Sequence, residues 1–250
     1  MKYWCSELIK EAIASAQSRL MLAIDNPRVD LGFIVDLISA TRNTVVGYKI
    51  GTPLILSRGL KSIRSLIDSF SGTYFLADLK LGDIAQIMEY TVELVRDAGF
   101  SGVVVNAFVG YEGALDRVAR KCGSLPLDLF LQITFDHPAS YIVDSRYSDI
   151  KMVVQQADPA GLVVPASKTT MIRDLRETFG GSYVILSPGI FAAGAEPGEA
   201  LCYGADVEVV GSRVTSAPSP REALDSIVRA QRRFLSEKKE CVWRGGPSET

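Results

Sequence analysis

Three charged side chains crowd one apolar stretch of this chain. In residues 74–87, YFLADLKLGDIAQI, Asp78, Lys80 and Asp83 fall within six positions, directly after Tyr74, Phe75, Leu76 and Ala77. An extended strand sends residues i and i+2 to one face, so Asp78 and Lys80 are predicted to project together. A lysine held cationic beside an aspartate can stabilise a developing carbanion and then donate a proton to it. The competing reading is an ion pair at the surface end of a strand, which is common and contributes little.

Charged or polar residues recur at matching places along the chain. Asp25 follows the apolar run 20–24, Lys49 lies near the end of 44–50, Asn106 falls in 102–108, and Asp136 follows 127–134. Alone, Asp25 reads as a turn or capping residue, and Lys49 as a lysine snorkelling from a strand edge. Their repetition at one end of successive strands argues for a shared mouth. Lys49, Asp78, Lys80 and Asp83 would form an array of alternating sign, in which each charge keeps its neighbour ionised when partly desolvated. Such an array requires neither a metal nor an organic cofactor.

The elements that must position these residues follow from periodicity. Strands are predicted at 20–24, 44–50, from 74, and at 102–108, 127–134, 161–166, 183–187 and 206–210. Helices are predicted at 5–18, 29–41, 53–70, 84–98, 112–121, 150–157, 169–179, 197–203 and 220–237. Continuously apolar strands alternating with helices imply a parallel sheet covered by helices. Eight such units in 250 residues predict an α/β fold, a single-domain (β/α)₈ TIM barrel. A doubly wound sheet would want a glycine-rich turn after the first strand, where this chain has Asp25, Asn26 and Pro27. Residues 1–240 are expected to form the one barrel domain with its N-terminal helix, and residues 241–250 a frayed tail.

Composition narrows the function classes. Lys+Arg 27 against Asp+Glu 29 gives a net charge of −2, which offers no electrostatic reason for a nucleic-acid or acidic-membrane partner. The N-terminal residues mix charge with apolar positions at helical spacing, unlike a secretory leader or a membrane span. Cys5, Cys122, Cys202 and Cys241 are far apart and form no Cys-x-x-Cys pair, so reduced thiols in a cytoplasmic setting are expected. The single histidine, His137, excludes a multi-histidine metal site and reads as a turn residue between Asp136 and Pro138.

The late loops suggest an anion site. Ser187, Pro188, Gly189 and Gly194 follow the seventh strand, and Gly211, Ser212 and Arg213 follow the eighth. In barrels these two loops often cradle phosphate with backbone N–H groups, and an arginine adds a forked cation. The plainer reading is that Pro and Gly mark turns. Glu208, inside the last strand, has no account beyond facing a helix lysine or a polar patch within the barrel.

LAIDN, YKIGTPLILS, ADLKLGDI, ITFDHP, LSPGIFAAGAEPGEAL and VVGSR carry a resemblance that runs from about residue 20 to residue 229: with all of them in the family's order, the chain resembles the orotidine 5′-phosphate decarboxylase family in its short, single-domain microbial form. The Asp-x-Lys-x-x-Asp motif is shared with 3-hexulose-6-phosphate synthases, whereas the Lys-Ile-Gly-x-Pro-Leu and Ser-Pro-Gly-Ile segments favour the decarboxylases. The resemblance implies cofactor-free decarboxylation of orotidine 5′-phosphate to UMP in de novo pyrimidine biosynthesis. The alternatives are a metal-dependent aldolase of the synthase type, or a non-catalytic barrel that binds a nucleotide or sugar phosphate.

The resemblance also implies roles. Asp25 and Lys49 would contact the ribose, Asp78 would lie against the scissile carboxylate, and Lys80 would protonate C6. Asp83 would reach into the partner's site of a homodimer with shared active sites. Ile84, Ile87, Asp136, Pro188, Gly189, Ala193, Gly194, Gly211, Ser212 and Arg213 would complete the nucleotide-binding set. Several positions depart from the family pattern: Ile87 stands for a threonine, Asn106 for a histidine, Asp136 for a serine and Ala193 for a glutamine, and Arg213 is displaced by one residue. The catalytic four are kept, while base and phosphate recognition are altered.

Overall fold

The computed structural model describes residues 7–191, 194–238 and 241. Its strands are β1 (Leu20–Ile24), β2 (Gly47–Gly51), β3 (Phe75–Leu81), β4 (Gly102–Asn106), β5 (Asp128–Gln132), β6 (Gly161–Val163), β7 (Val184–Pro188) and β8 (Val207–Val210). They pair in parallel in sequence order and close into a barrel, with β8 hydrogen-bonded back to β1. The helices are α1 (Glu7–Ser15), α2 (Leu31–Thr41), α3 (Thr52–Arg58), α4 (Leu60–Asp68), α5 (Ala85–Asp97) and α6 (Asp116–Ser124). They continue as α7 (Tyr141–Asp144), α8 (Tyr147–Ala157), α9 (Thr169–Phe179), α10 (Glu199–Cys202), α11 (Ser212–Thr215) and α12 (Pro220–Glu237).

Strand alternation explains the continuous apolar runs. Met21, Ala23, Leu76, Val104, Phe130, Val163, Leu186, Val207 and Val209 pack together inside the barrel. Their neighbours Leu22, Ile24, Tyr48, Ile50, Phe75, Val103, Val105, Leu131 and Ile185 pack outward under the helices. Away from the mouth, both faces of the strands are buried, so both sets are apolar there. Helix α1 closes the N-terminal end. Its buried Ile9 joins the inner cluster, and the Ile9 N–H donates to Asp128 Oδ2 at 3.0 Å. Tyr74 donates its hydroxyl to the same oxygen at 2.9 Å. Burial pushes the Asp128 carboxyl up to about 6.

The barrel prediction is borne out, with local corrections. The helix expected over 53–70 is two helices, because Gly59 adopts φ 76 and ψ 149 between α3 and α4. That left-handed conformation suits glycine and ends one hydrogen-bond ladder while starting the next. The strand expected over 44–50 begins at Gly47, and 102–108 stops at Asn106 before a 3₁₀ turn, Ala107–Val109. A π turn, Tyr111–Leu115, precedes α6.

One chemical expectation is overturned. Cys202 and Cys241, 39 residues apart, form a disulfide with their Cα atoms 4.4 Å apart, rather than staying reduced. Spacing in the sequence could not show this, because the packing of α10 against α12 creates the approach. Cys122 is a buried free thiol. The tail expected to fray lies outside the described residues except for Cys241.

Candidate active site

Side chains from three consecutive strand ends meet at the C-terminal mouth of the barrel. Asp25 directly follows β1, Lys49 is in β2, and Asp78 and Lys80 are in β3. Lys49 Nζ lies 2.5 Å from Asp78 Oδ2, and 3.1 and 3.3 Å from the two oxygens of Asp25. Lys80 Nζ donates to both Asp78 oxygens at 2.6 and 2.7 Å. One buried carboxylate is therefore bracketed by two ammonium groups. Burial alone would raise the Asp78 carboxyl, but the charges of Lys49 and Lys80 outweigh it and leave its pKa lowered. Burial likewise opposes the Lys49 charge, and Asp78 and Asp25 together more than reverse that effect. Asp78 and Lys49 are thus held ionised at neutral pH.

Close backbone approach makes the cluster fit. A Cβ at Gly51 would sit 2.2 Å from Asp25 Oδ1, so only glycine leaves room for Asp25 beside Lys49. Asp78 and Lys80 do share a face, as strand geometry predicts, but the strand is not regular there. Its register against β4 shifts between Ala77 and Leu81, and Lys80 takes φ 46. Bulges of this kind re-aim side chains, and a non-glycine residue at positive φ is held in place by its surroundings. Two donors do the holding: Asn106 Nδ2 to the Lys80 carbonyl at 2.6 Å, and Thr52 Oγ1 to the Asp78 carbonyl at 3.2 Å.

A cavity of about 200 Å³ opens over this cluster. Lys49, Asp78, Lys80, Gln132, Phe135, Asp136, Pro165, Pro188 and Gly189 line it, above Leu76, Val104, Val163, Leu186 and Val209. A larger groove of about 880 Å³ lies along α1 at the opposite end of the barrel, but it gathers no comparable set of paired charges. Asp136 is exposed at the rim and accepts the Ser167 hydroxyl at 2.6 Å. Gln132 is buried, donates its Nε2 amide hydrogen to the Thr134 carbonyl at 2.5 Å, and leaves Oε1 unpartnered. Sequence reasoning passed over Gln132 and Ser167. The signal for Gln132 was present, since a carboxamide interrupts the apolar run LFLQI.

The loop after β7 flanks the same cavity through Pro188 and Gly189, and the turn after β8 meets that loop through Arg213. Pro188 ends β7, and Gly189 and Gly194 adopt φ 92 and 84. Phe191 between them takes φ 73, and the Arg213 guanidinium carbon lies 5.1 Å from its ring centroid. Gly211 follows β8, and Ser212 and Arg213 open α11. Ala193 lies outside the described residues. Glu208 faces neither a lysine nor the barrel interior. It points outward and accepts the backbone N–H of Gly198 and Ala200 and the Gln231 amide.

Asp83 stands apart from the other charges. It is exposed, its Oδ1 accepts the Ile84 N–H at 2.7 Å, and among the described residues it joins no ion pair. Ile84 and Ile87 are exposed, as are Tyr90 and Leu94 farther along α5. These four occupy one side of that helix, opposite the buried Ala85, Met88, Val92 and Val95. Among the described residues no group of three or more His, Cys, Asp or Glu side chains could hold a metal ion, and no helix is long and apolar enough to cross a membrane.

Comparison with known proteins agrees with this geometry. Residues 18–227 match the family described as Orotidine 5'-phosphate decarboxylase / HUMPS. The orotidine 5'-phosphate decarboxylase of Aeropyrum pernix is 33% identical over 220 residues, covering 86% of this chain and 89% of that protein. That of Saccharolobus solfataricus is 31% identical over 228 residues, covering 91% and 98%. The crystal structure of orotidine 5'-monophosphate decarboxylase from Metallosphaera sedula superposes with a TM-score of 0.77 at 33% identity, covering 87% of this chain and all (100%) of that one.

Proposed function

This chain belongs to the orotidine 5'-phosphate decarboxylase / HUMPS family, and on that premise we propose that it is a carboxy-lyase converting orotidine 5′-phosphate to UMP. The observation that carries the reading is the placement of Asp78 between Lys49 and Lys80 at the barrel mouth. The substrate carboxylate would enter beside the Asp78 carboxylate, and loss of neutral CO₂ moves that negative charge from the carboxylate onto C6, away from its like neighbour. The C6–carboxyl bond breaks with its electron pair left on C6, where the Lys80 ammonium stabilises the negative charge. Lys80 Nζ then transfers a proton to C6 and regains one from water.

The remaining groups bind. Lys49 and Asp25 would hold the ribose hydroxyls. Asp136 and the unpartnered Gln132 oxygen offer acceptors near the pyrimidine, whose ring carries an N–H donor. The glycine-rich segment after β7, with Gly211, Ser212 and Arg213, would take the phosphate.

Two further points belong to the proposal. The exposed apolar side of α5, with Phe108 and Ile142 also exposed, supports a homodimer. Asp83, which joins no ion pair among the described residues, would complete the Lys-Asp-Lys-Asp array of the partner's site. Cytoplasmic residence is also part of the reading.

The test is the ultraviolet assay of orotidine 5′-phosphate loss, with and without chelator. The Lys80 ammonium meets the charge on C6 and supplies its proton, so turnover should persist when divalent metal is removed. Chelator-sensitive aldol chemistry without decarboxylation would favour the synthase reading instead. Lys80→Ala should lower kcat by a factor on the order of 10²–10⁴ or more. Its fold should survive, because Asp78 keeps Lys49 at 2.5 Å. Full activity in that variant would remove Lys80 from the mechanism.

A further inference from the structure

The reaction outlined above leaves one deeply buried acid unused. Glu208 is 0% exposed, in the middle of β8. Its neighbours Val207 and Val209 fill the barrel interior, so alternation sends Glu208 outward, beneath α10 and α12. There its two oxygens accept the Gly198 N–H at 2.9 and 2.8 Å, Oε1 accepts the Ala200 N–H at 3.1 Å, and Oε2 accepts Gln231 Nε2 at 2.9 Å. No cation is among these partners. A carboxylate buried without a countercharge is an expensive choice where an apolar side chain would pack as well. The expense shows in the acid itself, which burial pushes up to about 7.

What Glu208 holds is one end of a functional loop. Gly198, at φ 95, ends the glycine-rich segment that leaves β7 at Pro188. A Cβ there would lie 2.9 Å from the Gln231 carbonyl oxygen and 2.9 Å from Phe234 Cβ, so the backbone is pressed directly onto α12. The opposite end of the segment is fixed as the Pro188 carbonyl accepts the Ala166 N–H at 2.8 Å. Beyond Gly198, the far end of α10 is tied as well, through the Cys202–Cys241 disulfide.

The same strand governs the other half of the anion cradle. Three residues after Glu208 comes Gly211, followed by Ser212 and Arg213. Arg213 in turn stacks over Phe191, in the middle of the segment that Glu208 anchors. One short strand thus fixes, on its outer side, the root of one phosphate loop, and at its end carries the other.

We propose that Glu208 is a positioning residue for phosphate-monoester binding, acting through Gly198 to set the separation between the loop after β7 and the Gly211–Arg213 turn. This rests on the reading that these loops hold the substrate phosphate. Glu208 touches no substrate atom.

The experiment compares Glu208→Leu, Glu208→Asp and Glu208→Gln in the full chain. It uses steady-state kinetics on orotidine 5′-phosphate, and calorimetric binding of UMP and of ribose 5-phosphate. Glu208→Leu removes every acceptor and should raise KM and both dissociation constants by about tenfold or more, with kcat changed by less than about threefold. Glu208→Gln keeps an acceptor for the Gly198 N–H and should recover affinity to within about threefold of wild type. If the leucine variant does not fold, Glu208→Asp decides. Its carboxylate is withdrawn by one methylene, and it should weaken both phosphate ligands severalfold. Unchanged phosphate affinity in a folded Leu or Asp variant overturns the proposal, as does a loss confined to kcat. Should the wild type bind both phosphates but fail to decarboxylate orotidine 5′-phosphate, the assigned reaction falls, while the binding comparison still judges Glu208.

Discussion

Asn106 donates its side-chain amide to the backbone carbonyl of Lys80 at 2.6 Å. The bond reaches from the end of β4 to the bulge in β3, where Lys80 is held at φ 46. The proposed proton donor is therefore aimed by a neighbouring strand and not by its own backbone preference. Replacing Asn106 with Leu should leave the barrel folded but release the bulge. A lost hydrogen bond to a buried carbonyl costs about 1–3 kcal/mol, so kcat should fall by roughly 5- to 150-fold with KM little changed. Steady-state kinetics with circular dichroism as the folding control measures this; an unaltered kcat would mean the bulge holds itself.

Sharing of sites across a dimer makes a prediction that single variants cannot. Lys80→Ala and Asp83→Ala should each be nearly inactive alone. If each site combines Lys80 of one subunit with Asp83 of the other, every mixed dimer regains one intact site. Random exchange should then restore about a quarter of wild-type activity, since half the dimers are mixed and half of their sites are whole. No recovery after exchange, with mixed dimers verified by mass spectrometry, would return Asp83 to its own chain.

At the closed end of the barrel, Asp128 links acidity to stability. Its folded pKa, about 6, lies above its ordinary value of 3.8, so the folded state retains a proton that the unfolded chain releases. Its contribution is fully present below about pH 4, declines as pH rises, and is gone above about pH 6. Asp128→Asn keeps an acceptor for Tyr74 and Ile9 but cannot ionise. Wild-type stability relative to that variant should fall by about 3 kcal/mol across this window and then stay flat. Urea unfolding at several pH values reads the difference directly.

The Cys202–Cys241 bond spans 39 residues. Closing a loop of that length restricts the unfolded chain by up to about 4 kcal/mol. Reduction, or Cys241→Ser, should lower the unfolding midpoint accordingly, and thiol titration of the denatured protein should gain two groups on reduction. An identical midpoint with and without reductant would show that the bond adds nothing to stability.

Much of this protein was legible in its residues. Uninterrupted apolar runs such as 20–24 and 103–105 require burial on both faces, and their alternation with amphipathic helices leaves a closed parallel barrel as the natural solution. Period-two alternation also put Asp78 beside Lys80, and the positions of Asp25 and Lys49 at strand ends placed them at the same mouth. These are properties of local chemistry and spacing, which the sequence carries in full.

Tertiary packing decided the rest. Gly59 divides a helix that periodicity ran together, because only its backbone angle distinguishes a break from a tolerated glycine. Glu208 looked like an anomaly until closure of the barrel put Gly198, Ala200 and Gln231 around it. Cys202 and Cys241 became a pair only where α10 lies against α12. Asn106 found its role in the Lys80 carbonyl, and Asp83 was left exposed, bonded to the Ile84 N–H and outside the ion pairs formed by its sequence neighbours among the described residues. Each of these depends on which distant backbone atom arrives within hydrogen-bonding or bonding range, and no periodicity along the chain encodes that distance.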